Sequence, residues 1–241
     1  MKLTTKNYWD GYWSGLSKKR VETVLYSDIL YRYLPKTKKT FLEIGCVPGN
    51  YMIYFNKIFK YKVYGIDYSE KIRFTKNNLD YNRVKDYKLY KSDFFKWSPR
   101  IQFDVVCSFG FIEHFHNPEK IIKKQIDLIK KEGYLVLEIP NFRYATYWFY
   151  YLFDRKTLFN HNLEIMDLEK LKIIIEKENL KIIYANYYNT IYFGLKDIKD
   201  KNILTKLIVY PLSIIARIIN FFIKWPNKYF SPSMIIVAKK L

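Results

Sequence analysis

Apolar positions along this chain alternate between a helical rhythm and short continuous runs. Between Arg20 and Leu34 they recur at helical spacing, with Val21, Leu25, Ile29 and Tyr33 on one face. Thr40–Gly45 reads as an apolar strand, Asn50–Phe59 as helix and Lys62–Asp67 as a second strand. Ser69 suits the cap of a polar helix running to about Leu79. Tyr87–Asp93 and Phe103–Phe109 follow as strands three and four; the unbroken run Val105-Val106-Cys107 predicts a strand covered on both faces. Asn117 as N-cap, Pro118 at the first helical position, Glu119 in the first turn and Gly133 as the stop punctuate the next helix. Gly133–Pro140 is strand five, Asp167–Asn179 a helix, Leu180–Tyr188 strand six and Ser233–Lys239 strand seven.

This alternation predicts an α/β fold: one domain over 1–241 with a doubly wound, seven-stranded, mostly parallel sheet. Strands six and seven lack a clean crossover, which suits an antiparallel edge and an antiparallel last strand. Three segments stand apart from the βα units. Residues 1–34 form an expected helical lid, carrying Tyr8-Trp9-Asp10-Gly11-Tyr12-Trp13. Residues 142–166 form an aromatic insertion, with Tyr144, Tyr147, Trp148, Phe149, Tyr150 and Tyr151 suited either to a substrate lid or to packing on the sheet. Residues 203–225 form a mostly apolar helix inserted between strands six and seven, with Lys206, Arg217 and Lys224 on a narrow polar stripe.

The turn after strand one carries the chemistry. In Phe41-Leu42-Glu43-Ile44-Gly45-Cys46-Val47-Pro48-Gly49-Asn50 the glycines let backbone approach a ligand closely, and Asp67 at the end of strand two can accept hydrogen bonds from a ribose. The spacing Glu43-x-Gly45-x-x-x-Gly49 does not match the G-x-G-x-x-G of dinucleotide sites. It resembles motif I of the class I S-adenosylmethionine (SAM)-dependent methyltransferases, with Val47 where the family usually has glycine. The resemblance covers about Thr40 to Leu180 plus the last strand, and is to the small-molecule and quinone-type members.

It implies SAM as cofactor, held by Glu43, Gly45, Cys46, Gly49, Asp67 and Tyr68. It further implies that Asp93 contacts the adenine amino group, that Phe94 packs on the ring, and that Phe109 closes the site at the end of strand four. Phe109-Gly110-Phe111-Ile112-Glu113-His114-Phe115 looks like the family's motif after strand four, in which Glu-His opens a helix facing the substrate. His114 is the first candidate catalytic base and His161 the second. No metal is expected: Glu113, His114 and His116 are close in sequence, but no second Cys/His group stands at zinc spacing.

Composition narrows the acceptor only slightly. Net charge is +19, which fits attraction to a polyanion or simple compositional drift, because the lysines are spread along the chain. An RNA methyltransferase and a non-catalytic protein retaining the fold, its cofactor loop crowded by Val47, stay open as alternatives. Nucleic acid is the weaker expectation, since neither a separate RNA-binding module nor an Asn/Asp-Pro-Pro-Tyr motif follows strand four. The expected acceptor is a small molecule, glycan precursor or lipid, methylated at oxygen. Met1–Gly15 lacks a basic flank and apolar run, so no secretory leader is expected, and two cysteines near apolar strands suit reduced thiols. Residues 203–225 are long enough to span a bilayer, but Lys206, Pro211 and Arg217 favour a packed helix, a dimer contact or an anionic membrane surface. The expected location is the cytoplasm, peripheral to the inner face of the membrane.

Overall fold

The computed structural model describes residues 2–241. Seven strands form one sheet in the order β3-β2-β1-β4-β5-β7-β6: β1 (Thr40–Ile44), β2 (Lys62–Asp67), β3 (Tyr87–Lys91), β4 (Phe103–Phe109), β5 (Ile129–Pro140), β6 (Leu180–Tyr188) and β7 (Ser233–Lys240). β7 runs antiparallel to both β5 and β6; the other neighbouring pairs are parallel. β7 therefore lies inside the sheet and β6 is the edge, the reverse of the order in which the chain makes them.

Period-two alternation builds a core on each face of the sheet. Phe41, Val63, Val105, Val136 and Val237 point to one side. There they meet α2 (Ser27–Tyr33), α3 (Asn50–Phe59) and α4 (Ile72–Tyr81). Leu42, Tyr64, Val106, Leu135 and Ile236 point to the other, against α5 (Pro118–Asp127) and α8 (Leu168–Lys177). Asn117 caps α5 by accepting from the Lys120 amide, and Asp167 caps α8 by accepting from Glu169 and Lys170.

Departures from the expected elements have local causes. The helix read over Arg20–Leu34 is helical only as α2, because Tyr26 takes φ 65° and breaks it, leaving Leu25 53% exposed. The Asn82 side chain holds the stretch before it, accepting from the Val21 amide and donating to the Lys19 carbonyl. α5 stops before Gly133 because Ile129 already pairs with Phe103 at the start of β5. The helix after Ser69 begins at Ile72. The first helix, α1 (Lys6–Tyr12), is capped by Thr5. The aromatic insertion folds as α6 (Tyr144–Phe153) and α7 (Arg155–Phe159).

Residues Ile203–Phe222 form one helix, α9, of which only Val209 and Ala216 are buried. Val209 packs on Phe149 and Leu195, while Ile214, Ile215, Ile218, Phe221 and Phe222 face outward, each more than half exposed. Length and composition suffice to cross a membrane. A well-packed internal helix is not what the fold makes of this segment.

Candidate active site

The parallel register places the carboxyl ends of β1, β2 and β4 side by side, pairing Ile44 with Ile66 and with Ser108. The crevice beyond strand ends is where an open α/β sheet takes a ligand. Gly45 leaves β1 at φ +75°, its amide donating to the Ile66 carbonyl at 2.9 Å. Gly49 opens α3 at φ +91°, where a Cβ would lie 2.7 Å from the Thr75 methyl; an L side chain is excluded twice over. Val47, 3% exposed, packs into the core beside α3 and borders the pocket from there.

Asp67 ends β2 with one oxygen accepting from the Ser69 amide at 2.8 Å and the other from the Val47 amide at 3.4 Å. Burial pushes its carboxyl up to about 6. Glu43 is fully within the protein, its carboxyl raised well above the usual range by burial, with one oxygen lacking any partner. Cys46 lies buried behind the turn, its thiol raised by the same desolvation. The Tyr68 hydroxyl is likewise buried without a partner. Asp67, Glu43, Gly45 and Tyr68, with Phe94, Phe109 and Asp93, line one pocket, while Cys46 and Gly49 shape the turn from behind without lining it.

The orphaned Glu43 oxygen, the strand-end carboxylate and the bare backbone of Gly45 on the pocket wall fit the adenosyl-type cofactor that the resemblance implies. Asp93 is already engaged. It pairs with the Lys2 ammonium at 2.8 Å and accepts from the Phe95 amide at 3.0 Å. Burial would raise its carboxyl, but those two partners outweigh burial and hold it below its usual value. Lys2 also lies 4.3 Å from the Tyr68 ring centre, and the Leu3 amide donates to the His114 carbonyl. The amino-terminal strand thus crosses the mouth of the pocket. Phe94 meets Phe111 edge to face at 5.9 Å, and Phe109 stacks on Tyr51 at 3.6 Å, an arrangement in which Phe109 forms the wall of the site.

A second cavity, about 740 Å³, lies on the other side of that wall. Trp9, Trp13, Phe109, Gly110 and His114 line both spaces. The Glu-His pair sits in a single 3₁₀ turn, Ile112–His114, rather than opening an α-helix. His114 Nδ1 is 2.9 Å from the Asn160 carbonyl; a carbonyl only accepts, so the ring proton sits on Nδ1 and the Nε2 lone pair is free. His161 Nδ1 binds the Thr157 carbonyl in the same way. The two rings are 4.4 Å apart, and Trp9 meets His114 edge-on at 4.8 Å.

Burial, reinforced by His161, pushes His114 down to about 3, and burial pushes His161 down to about 4. Both are neutral, feeble bases at physiological pH. His116 is exposed and takes no part. The histidines adjacent in sequence are therefore not the ones that meet in space.

Glu138 is a site-lining group, and Tyr26 its anchor, that the residue patterns did not single out. Glu138 borders the larger cavity, half-buried, its carboxyl pushed up to about 7 by desolvation. The Tyr26 hydroxyl donates to it at 2.8 Å. The signal was an acid inside the apolar run Leu137-Glu138-Ile139.

A family model described as a methyltransferase domain matches residues 18–185. No curated protein sequence matches the chain. Among solved structures, it is similar to a SAM-dependent methyltransferase from Archaeoglobus fulgidus, at 20% identity and TM-score 0.59, covering 88% of this chain and 92% of that one. It is similar to coclaurine N-methyltransferase bound to N-methylheliamine and SAH, at 15% identity and TM-score 0.60, covering 92% and 75%. It is also similar to magnesium protoporphyrin IX methyltransferase from Synechocystis with bound SAH, at 14% identity and TM-score 0.58, covering 89% and 79%. At these identities the likeness carries the fold.

Proposed function

This chain belongs to the methyltransferase-domain family, as a SAM-dependent methyltransferase, and from that premise we propose that it methylates a small amphiphilic acceptor at oxygen, taken from an anionic membrane surface. SAM supplies the methyl group on an activated sulfonium. The observation that carries the reading is the shared wall: Gly110, Phe109 and His114 border both the cofactor pocket and the larger cavity, so an acceptor in the second faces the reactive end of the first. Solved relatives of similar fold bind N-methylheliamine or are named for a porphyrin, both small acceptors.

Each residue then has a task. Asp67 takes the ribose hydroxyls, Glu43 and the Gly45–Gly49 turn hold the polar end, and Phe94 packs on the adenine. Asp93 reaches an adenine amine once Lys2 gives way. Tyr68 borders the same pocket, and Cys46 supports the turn from the core. Residues 1–34 and 142–166 exclude water as lids, since Trp9 and Trp13 roof both spaces and Phe142 and Tyr150 wall the larger one. The protein's main contribution is alignment. With no ion bound, His114 and His161 would orient an acceptor hydroxyl through their free Nε2 atoms.

Three features support the membrane clause. The cavity is bounded by Lys196, Asp197 and Asp200, and the chain runs from there directly into α9. α9 presents an apolar outer face with Lys206, Arg217 and Lys224 nearby. The whole chain carries +19, worth about 1 kcal/mol of attraction for each cation near an anionic surface. Two buried reduced cysteines are in keeping with a cytoplasmic inner face.

The test has two arms. Isothermal titration with SAM should give 1:1 binding; no heat and no thermal shift would remove the transferase reading. Flotation with vesicles of phosphatidylglycerol and phosphatidylcholine should carry the protein upward. The pair Ile214→Glu and Ile218→Glu, on residues 55% and 53% exposed, should abolish flotation while leaving Tm within about 1 °C. Wild-type protein staying in the soluble fraction would remove the lipid clause and leave methyl transfer standing.

A further inference from the structure

We propose that Glu113, His114 and His161 form a binding site for one divalent transition-metal ion of the Zn²⁺/Mn²⁺ class, opening onto the larger cavity. The proposal adds to the transferase reading and rests on it only for what the ion would do.

The geometry is that of a ligand set. Each of the three side chains offers one ligand atom, and these atoms lie within 4.8 Å of one another. Both imidazoles have Nδ1 fixed on a backbone carbonyl, His114 on Asn160 and His161 on Thr157. That arrangement fixes the tautomer and leaves each Nε2 lone pair for a metal, as outer partners of metal-binding histidines commonly do. Glu113 supplies an independent observation. It is 1% exposed, its Oε1 is 3.5 Å from His114 Nε2, and its Oε2 has no hydrogen-bond partner.

A buried carboxylate oxygen without a partner is costly, and a cation between it and two neutral imidazoles would satisfy all three groups at once. Nothing else in the cluster does this. Its two backbone anchors are already used, and Trp9 presents only a ring edge to His114.

Ligand chemistry selects the ion. Two imidazole nitrogens and one carboxylate oxygen suit borderline divalent ions better than Mg²⁺ or Ca²⁺, which prefer all-oxygen sites. Three protein ligands leave at least one coordination position open. Glu113, His114 and His161 all line the larger cavity, so that position faces an incoming acceptor. An ion there would make a bound acceptor hydroxyl release its proton to solvent water more readily; the oxygen would then form its bond to the methyl carbon as the carbon–sulfur bond of the sulfonium breaks and the neutral thioether leaves.

The direct experiment is calorimetry of the chelator-treated full-length protein with ZnCl₂ and with MnCl₂, in the absence of SAM. We expect 1:1 binding with Kd at or below about 10 μM for Zn²⁺, and at least tenfold weaker binding of MgCl₂. His161→Ala is the safer variant because His161 lies partly at the cavity surface; it and Glu113→Gln should each weaken Zn²⁺ at least tenfold. Substitution with CoCl₂ should give visible d–d bands in wild type that both variants lose. No saturable Zn²⁺ or Co²⁺ binding up to about 1 mM, or binding unchanged in a folded His161→Ala protein, would overturn the site. Because SAM titration is a separate measurement, the metal site and the transferase reading fail independently.

Discussion

Asp67 carries a measurable conflict between stability and ligand binding. Its carboxyl is pushed up to about 6 from an ordinary 3.8 by burial, so keeping it ionised at neutral pH costs the folded, ligand-free protein about 3 kcal/mol at 1.36 kcal/mol per pKa unit. Asp67→Asn removes that cost. It also removes one acceptor, and the contact most easily lost is the 3.4 Å bond from the Val47 amide, worth about 1 kcal/mol. The variant should therefore gain about 2 kcal/mol, or about 4–8 °C in Tm for a chain of this size, at pH 8.

The sign of the pH dependence follows from a raised folded pKa. The stabilising contribution of wild-type Asp67 is complete below about 3.8 and is lost as pH rises through about 6. The variant's advantage should thus be absent at pH 4, grow between pH 4 and 7, and stay constant above. At pH 8, where wild-type Asp67 is ionised, the variant should bind SAM about 10²-fold more weakly, because a neutral amide replaces a charge-assisted acceptor pair. Circular-dichroism melts of both proteins from pH 4 to 8, with SAM calorimetry at pH 8, measure all of this. A Tm gap that is negative at pH 8, or that does not change with pH, would refute the burial argument. Unchanged SAM affinity would refute the ribose role.

Gly49→Ala forces an L residue to φ +91° and drives its Cβ to 2.7 Å from Thr75, so it should cost about 1–3 kcal/mol in urea unfolding and weaken SAM at least tenfold. Tyr26→Phe removes the 2.8 Å donor to Glu138, so stability should fall by about 1–3 kcal/mol and the Glu138 carboxyl, followed by carbon NMR, should titrate above its present value of about 7. An unmoved Glu138 titration would mean that Tyr26 is not its anchor.

What could be read from the residues was what is local. The Gly45–Gly49 turn and Asp67 declare themselves through backbone freedom and a strand-ending acid, and the seven strands through runs of Val, Ile and Phe. The pairing of His114 with His161 could not be read, because a turn after β4 and a loop after α7 meet only through the tertiary fold. For the same reason Tyr26 and Glu138, 112 positions apart, give no joint signal. The Arg20–Leu34 segment misled for a different reason. Val21 and Ile29 are buried as helical spacing predicts, yet the side chain of Asn82, just past the end of α4, captures the backbone and holds it out of helix. Likewise, nothing in the apolar run of α9 distinguishes a helix packed inside from one left facing out.

The amino-terminal strand has a kinetic consequence. Lys2 seals the pocket at Asp93, and a few residues later Trp9 and Trp13 roof both chambers. One piece of chain is therefore the gate for two different visitors. Opening it for either exposes the other, so loading of donor and acceptor and escape of both products should share one opening step.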